Sequence, residues 1–453
     1  MSKGKKSKGK RTVSMPLVNP DAAGIDIGDS LHVVAVPVDR DPVNVREFGA
    51  FTEDLEKIAA WLKECKINTV AMESTGIYWK NLFAVLVQHG FEVNLVNAKH
   101  THNITGRKND ESDAQWIQKL HSCGLLSSCF LPDDRIETLR TLVRHRRTLT
   151  QDGSRYVQRI EKSLELMNIK IHTVISDITG KTGTAILKAI IGGERDPKNF
   201  LPLIDGRIKA TQDNILKSLQ GNWRREHLFL VQQCYNLYQE MQTQIELCER
   251  QIEEVLKLLV TRYQESNSEQ AQQSAPAPGP KKKKTKNQPR FNTTSYLKKI
   301  YKVDVTQIYG VSETTALEIL SETGTDLSKW SDEKRFVSWL NLCPNNKISG
   351  GKLISSKLLK KKPNPAAQAF RMAANSLQRS KHWLGDYFRR KRSKGGQKYA
   401  IVATARKLAR IYYKMVRFHQ PFTPFDTSEY RKKYTQTKIA SLERAIQRLK
   451  HAA

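Results

Sequence analysis

Four carboxylates in the first quarter of the chain have the types and settings to do chemistry together: Asp26, Glu73, Asp110 and Asp113. Asp26 lies inside the apolar run Ala22-Ala23-Gly24-Ile25-Asp26-Ile27-Gly28, and Glu73 closes another, Thr69-Val70-Ala71-Met72-Glu73. Asp110 and Asp113 stand three apart at the mouth of a predicted helix, where they would share a face. Like charges in apolar surroundings are costly unless paired or bound to metal. Any one of these acids alone reads as a surface or capping residue, and Asp110 by itself would make a good helix N-cap. As a set they suit two Mg2+ or Mn2+ ions roughly 3.5–4 Å apart, which points to phosphate chemistry. A second candidate is the serine of Ser349-Gly350-Gly351. A hydroxyl is a weak nucleophile until a base or metal activates it, and no His or Asp adjoins this one in sequence. It reads either as a nucleophile or as the incidental serine of a Gly-rich turn.

The elements that must position these groups follow from pattern. Ala22–Ile27 and Leu31–Val38 read as strands of a hairpin turned at Gly28-Asp29-Ser30, with Val43–Phe51 as a third strand. Thr52–Cys65 has helical periodicity with Thr52 as a candidate N-cap; Thr69–Met72 is a buried strand. A helix over Trp79–His89 closes at Gly90, a strand spans Glu92–Val96, and a helix covers Asp110–Ser122. Hairpin, third strand, helix and parallel strand describe an α/β ribonuclease H-like sheet, in which Asp26 and Glu73 would end side by side. The Asp-x-Gly of Asp26-Ile27-Gly28 also fits the sugar-kinase and actin-type ATPase fold. That alternative lacks a second phosphate loop of Asp-x-Gly-x-x-Thr type and a Gly-rich adenosine loop.

Long amphipathic helices are predicted over 134–168 and about Arg225–Tyr263, either an antiparallel hairpin or a coiled-coil dimer arm. The polar face of the first carries Arg140, Arg144, Arg146 and Arg147, a solvated face or a phosphate-tracking stripe. Residues 170–225 are mixed and carry little signal. Residues 264–293 are low-complexity linker, with the run Lys281–Lys284. A second, mainly α unit follows. In it Ile308-Tyr309-Gly310-Val311 reads as a phosphate-presenting turn or an ordinary helix start before Ser312–Glu322. Trp330–Leu340, Pro365–Ser380 and Lys398–Val416 are predicted helices, 343–352 is turn-rich, and a very basic loop spans Arg389–Lys398. The resulting boundaries are a basic tail over 1–19, a catalytic domain over 20–132, a helical coiled-coil region over 133–263, the linker over 264–293, the serine-bearing domain over 294–422 and a basic helical tail over 423–453.

Lys plus Arg number 76 against 45 Asp plus Glu, a net charge of +31. That excess excludes an ordinary metabolic enzyme and points to a polyanion, nucleic acid before an anionic membrane. No stretch approaches the roughly 20 apolar residues of a membrane span, and Met1–Arg11 reads as a flexible basic tail rather than a signal peptide. Six scattered cysteines without a C-x-x-C pair argue against zinc and suit a reducing cytosol. Candidate nucleic-acid contacts are Arg107, Lys108, Arg144, Arg146, Arg147, Lys352, Lys360, Lys361, Arg390 and Lys391.

Three blocks resemble the acidic motifs of the DEDD transposases of the IS-one-ten group: Gly24-Ile25-Asp26-Ile27-Gly28, Glu73-Ser74-Thr75-Gly76-Ile77-Tyr78 and Lys108-Asn109-Asp110-Glu111-Ser112-Asp113-Ala114. These insertion-sequence enzymes are related to the pilin-gene invertases and include the RNA-guided "bridge RNA" recombinases. Asn109 stands where that family usually has Thr. The stretch from Leu342-Cys343-Pro344 to Ser349-Gly350-Gly351-Lys352 is similar to the family's second block, with Asn341 where Gly is usual. The resemblance covers about 20–160 and 296–420, and the 170–293 region looks expanded. It implies a RuvC-like N-terminal domain, Mg2+ (or Mn2+) on Asp26, Glu73, Asp110 and Asp113, and DNA cutting and rejoining through a covalent 5′-phosphoserine at Ser349. It also implies donor and target DNA, a structured guide RNA and a homo-oligomer, dimer or tetramer, as partners. A bacterial cytoplasmic, nucleoid-associated location follows from the same reading. The residues alone leave two alternatives: a metal-dependent nuclease or junction resolvase using water, and a non-catalytic nucleic-acid-binding protein.

Overall fold

Side-chain alternation along one short strand sets up the N-terminal unit. In β1 (Ala22–Ile27), Ala23, Ile25 and Ile27 enter one core while Gly24 and Asp26 face the other way. The computed structural model describes residues 16–97, 112–265, 286–359 and 364–451, in two compact units that divide between Leu131 and Pro132. In the first, β1 pairs antiparallel with β2 (Leu31–Ala35), and β2 pairs antiparallel with β3 (Val45–Gly49). After α1 (Thr52–Glu64), β4 (Thr69–Glu73) returns parallel to β1; after α2 (Trp79–Gln88), β5 (Glu92–Val96) runs parallel to β4. The sheet order is β3-β2-β1-β4-β5. Ile25, Val34, Val70 and Met72 pack with Leu55, Ile58 and Leu62 of α1 and Leu82 and Leu86 of α2. The opposite face receives α3 (Asp113–Ser122).

Two local expectations change. Phe51, not Thr52, occupies the N-cap of α1, with no side-chain cap; acidic Glu53 and Asp54 in the first turn suit the helix dipole instead. The predicted helix from Asp110 starts at Asp113, because Ser112 caps it: Ser112 Oγ accepts from Gln115 N at 3.2 Å and Gln115 Oε1 accepts from Ser112 N at 3.0 Å.

The second unit is built on α4 (Asp134–Leu166) and α7 (Arg225–Glu265), with α5 (Lys181–Ile191) and α6 (Gln212–Ser218) between them. The two long helices run antiparallel. Arg135 Nη1 donates to Leu258 O, Cys248 Sγ to Leu142 O, and Gly153 faces Met241 and Tyr238. The hairpin alternative thus describes their packing within the chain. Ile186, Leu187 and Ile190 of α5, Phe200 and Ile215 bury against Ile160, Val231 and Tyr235 at one end of the pair, so the poorly informative 170–225 segment is a helical cap with its own core. The linker expected over 264–293 is pinned from Lys286 onward: Lys286 pairs with Asp177 at 2.8 Å, and Asn287 O accepts from Arg146 at 2.9 Å. Lys281–Lys284 lies outside the described residues.

The remaining helices are α8 (Thr293–Tyr301), α9 (Glu313–Thr323), α10 (Glu333–Trp339), α11 (Pro365–Ser376), α12 (Trp383–Phe418) and α13 (Thr427–Lys450), joined by the hairpin β6 (Asn345–Ser349) and β7 (Lys352–Lys357). Tyr301, Phe336, Phe370 and Tyr412 fill this core, with the Tyr301 and Tyr412 hydroxyls 2.7 Å apart. The basic loop expected over Arg389–Lys398 is helix, since Lys and Arg are good helix formers. The break is confined to Gly395 and Gly396, the latter at φ 77°.

Candidate active site

The register that ties β1 to β4 pairs Ile25 with Met72, so Asp26 and Glu73 are the next step along adjacent strands. Neighbouring strands lie about 4.8 Å apart, so the two backbones hold these acids side by side. Both fall on the sheet face opposite Ile25 and Met72. Asp26 is half-buried and Glu73 is 8% exposed. The third acid arrives on α3. At its far end His121 Nε2 lies 2.9 Å from Thr69 Oγ1, and Gln118 Nε2 donates to Ala22 O at 3.3 Å. The C-terminal turn of α3 therefore sits over the beginnings of β1 and β4, and its first residue, Asp113, lies toward their ends, where Asp26 and Glu73 are. Asp113 in the first turn also complements the positive end of the helix.

Gly24 makes this crossing possible. A Cβ at that position would collide with Gln118 N and Ala114 O, both backbone atoms of α3. His32, in register with Ile27 and 2% exposed, is a neighbour that pattern reading missed. Burial pushes its pKa down, against the pull of the Asp26 carboxylate, and its Nδ1 has no hydrogen-bond partner among the described residues. Strand alternation puts it on the face of Ile27 and Val34, opposite the one that carries Asp26.

Asp110 lies outside the described residues, as do Arg107, Lys108, Lys360 and Lys361. Among the described residues no group of three or more His, Cys, Asp and Glu side chains is assembled as a metal site. The acids expected at the sheet end are all carboxylates, a donor set that fits hard divalent cations and not zinc or copper.

Ser349 stands on a different kind of support. It ends β6 and pairs with Lys352 across a two-residue turn. Gly350 at φ 54° and Gly351 at φ 73° give both central positions the left-handed backbone of a type I′ turn, which glycine adopts without strain. Both strands are largely exposed, as is Ser349 itself, and none of the described residues hydrogen-bonds its hydroxyl. Ile348, Leu353 and Ile354 of the same hairpin are 66%, 58% and 68% exposed. Lys352 is exposed at the turn.

The arginine stripe of α4 is committed inside the unit. Arg144 binds both oxygens of Glu322 at 2.7 and 2.8 Å, Arg140 reaches Ser321 O and Glu322 O, and Arg146 is buried on Glu249 at 2.7 Å. Arg147 is half-buried near Glu318, whose pKa burial raises and Arg147 opposes. On α12, Arg390 stacks over Tyr434 at 3.8 Å and Tyr430 at 4.6 Å, and Lys391 lies over Tyr387 at 5.4 Å.

A family model of transposases, the DEDD transposase type of IS110 elements, matches residues 23–169. A second, transposase IS116/IS110/IS902 family, matches residues 304–389. The chain belongs to the IS110 family of transposases. No curated protein matches it. The first match takes in the mixed sheet, α3 and all of α4; the second takes in the β6–β7 hairpin. An IS110 transposase is a DNA transposase and recombinase, so DNA is a partner of this enzyme. Its DEDD domain has a ribonuclease H-like fold, here the five-stranded mixed sheet, and domains of this type use divalent metals. Among the described residues no helix is long and apolar enough to cross a membrane.

Proposed function

We propose that Asp26, Glu73, Asp110 and Asp113 hold Mg2+ or Mn2+ at the ends of β1 and β4, and that Ser349 is the nucleophile of DNA strand transfer. The observation that carries this reading is the crossing of α3 over Gly24, which directs Asp113 toward the strand ends bearing Asp26 and Glu73. Bound cations would lower the barrier to attack by screening the phosphate and the leaving oxygen. The serine Oγ–P bond forms as the P–O3′ bond breaks. The hydroxyl proton passes to solvent or a nearby carboxylate, and the departing 3′ oxygen ends as a hydroxyl. Rejoining runs the same exchange in reverse with a different 3′-OH. An exposed hairpin tip with Ile348, Leu353 and Ile354 uncovered suits a serine that works only once docked beside the acids, in this or another copy of the chain. Phe229, Leu237 and Leu258 stand exposed along α7 and support a homo-oligomer joined through that helix. The family and the +31 charge support a structured guide RNA alongside donor and target DNA.

The test is a labelled DNA substrate with Mg2+, resolved on denaturing gels. A protein–DNA adduct should form, resist denaturant and vanish in Ser349→Ala and in Asp26→Asn, with both variants still folded. Cleavage without any adduct would transfer the nucleophile to water and remove Ser349 from the chemistry.

A further inference from the structure

The strongest unassigned feature is a cavity of about 460 Å3 between the second half of α12, the segment after it and the start of α13. Apart from Trp383, its lining falls between Lys407 and Lys433, beyond the 304–389 family match. Its floor is aromatic. Trp383, Phe425 and Tyr430 form a mutual cluster with ring centroids 5.5 to 6.1 Å apart. Phe422 is braced edge-on by Tyr309 at 5.3 Å, itself stacked on His382 at 3.8 Å. These rings are held by one another, so a flat guest meets a preformed surface rather than one it must order.

The rim is cationic. Lys414 is already paired with Glu333 at 3.5 Å, but Lys407 has no carboxylate within ion-pair distance among the described residues. Its ammonium sits 5.8 Å from the Trp383 ring. Burial, then Arg410, press the Lys407 pKa down, against Glu333. Lys433 adds a second exposed cation. A partly desolvated, unpaired cation beside rings packed edge to face is complementary to a group that is flat and apolar on one side and anionic on the other.

We propose that this cavity takes one unstacked nucleotide of a single strand, its base against Trp383, Phe425 and Tyr430 and its phosphate on Lys407 and Lys433. Aromatic platforms flanked by cations are the general means of holding single strands, and stacking tolerates any base. An acidic peptide would satisfy the lysines but leave the ring floor unused. The pocket requires neither Ser349 nor bound metal, so its test is run in EDTA and its failure is separate from failure of the cleavage chemistry.

The full-length protein is mixed with oligonucleotides of about twelve residues, a length within single-strand site sizes, carrying 5-iodouracil in RNA or DNA form. Irradiation followed by mass spectrometry should place adducts on peptides containing Trp383, Phe425 or Tyr430. Phe425→Ala and Lys407→Met should each weaken anisotropy-measured binding about tenfold, with unchanged circular dichroism. Tighter binding of the ribose form assigns the strand to RNA, and of the deoxyribose form to DNA. Adducts confined to other peptides, or affinity unaltered in both variants, would overturn the proposal.

Discussion

A single missing methyl group lets α3 cross close over β1. Gly24 packs against the backbone of α3, so Gly24→Ala has no flexible side chain to displace and must push the helix away. Overpacking of this kind costs roughly 1–3 kcal/mol. Asp113 rides on the displaced element, so metal-dependent cleavage should fall at least tenfold while DNA affinity holds. Gly206→Ala, where a Cβ meets open space, is the control. Equal losses in both variants would refute the role given to Gly24. His121 supplies a second residue-scale prediction. It is buried on Thr69, and burial depresses its pKa, against the Glu92 carboxylate. The unfolded chain protonates nearer 6.5, so it binds the proton more readily than the fold does. Stability is therefore complete above about 6.5 and is lost as pH falls below it. Calorimetric Tm should drop between pH 7 and pH 5, and His121→Gln should flatten that drop.

At the scale of elements, α4 and α7 are locked by a buried pair. The Arg146 and Glu249 side chains are 8% and 4% exposed and meet at 2.7 Å. Removing one partner strands the other charge, so Glu249→Ala should cost about 3–5 kcal/mol, whereas Arg146→Met with Glu249→Leu should come out near neutral. Chemical denaturation of the two variants gives the comparison; equal destabilisation would mean the pair is not the lock. The pair also shows what the sequence could and could not display. The long helices, the five strands and the placing of Asp26 and Glu73 on adjacent strands follow from periodicity, because each element buries one face. That Arg144 and Arg146 serve Glu322 and Glu249 does not follow, since partners 178 and 103 residues away leave no local trace. The β6–β7 hairpin was hidden for the opposite reason: with largely exposed strands it has no inside–outside alternation to read. Only Gly350-Gly351 announced it. The Ser112-x-x-Gln115 capping box was legible and would have moved the start of α3 to Asp113.

Across the whole molecule, the +31 charge is a sum over groups in unlike states, and salt dependence can sort them. Each phosphate neutralised adds about 0.9 to the slope of log affinity against log salt on duplex DNA. A lysine free at the surface contributes to that slope; a guanidinium already bidentate on a carboxylate must first give up its partner. Lys352, exposed at the hairpin turn, belongs to the first group, and Arg144, bonded to both oxygens of Glu322, to the second. Lys352→Gln should lower the slope by about 0.9 without changing Tm. Arg144→Gln should lower Tm, because Glu322 is 5% exposed and would be left with less compensation, and should leave the slope alone. Titrations at several salt concentrations with EDTA present keep strand chemistry out of the measurement. If Arg144→Gln flattened the slope instead, the arginines of α4 would exchange their carboxylates for phosphates on binding. The helix pair would then be a nucleic-acid surface held closed by its own acids.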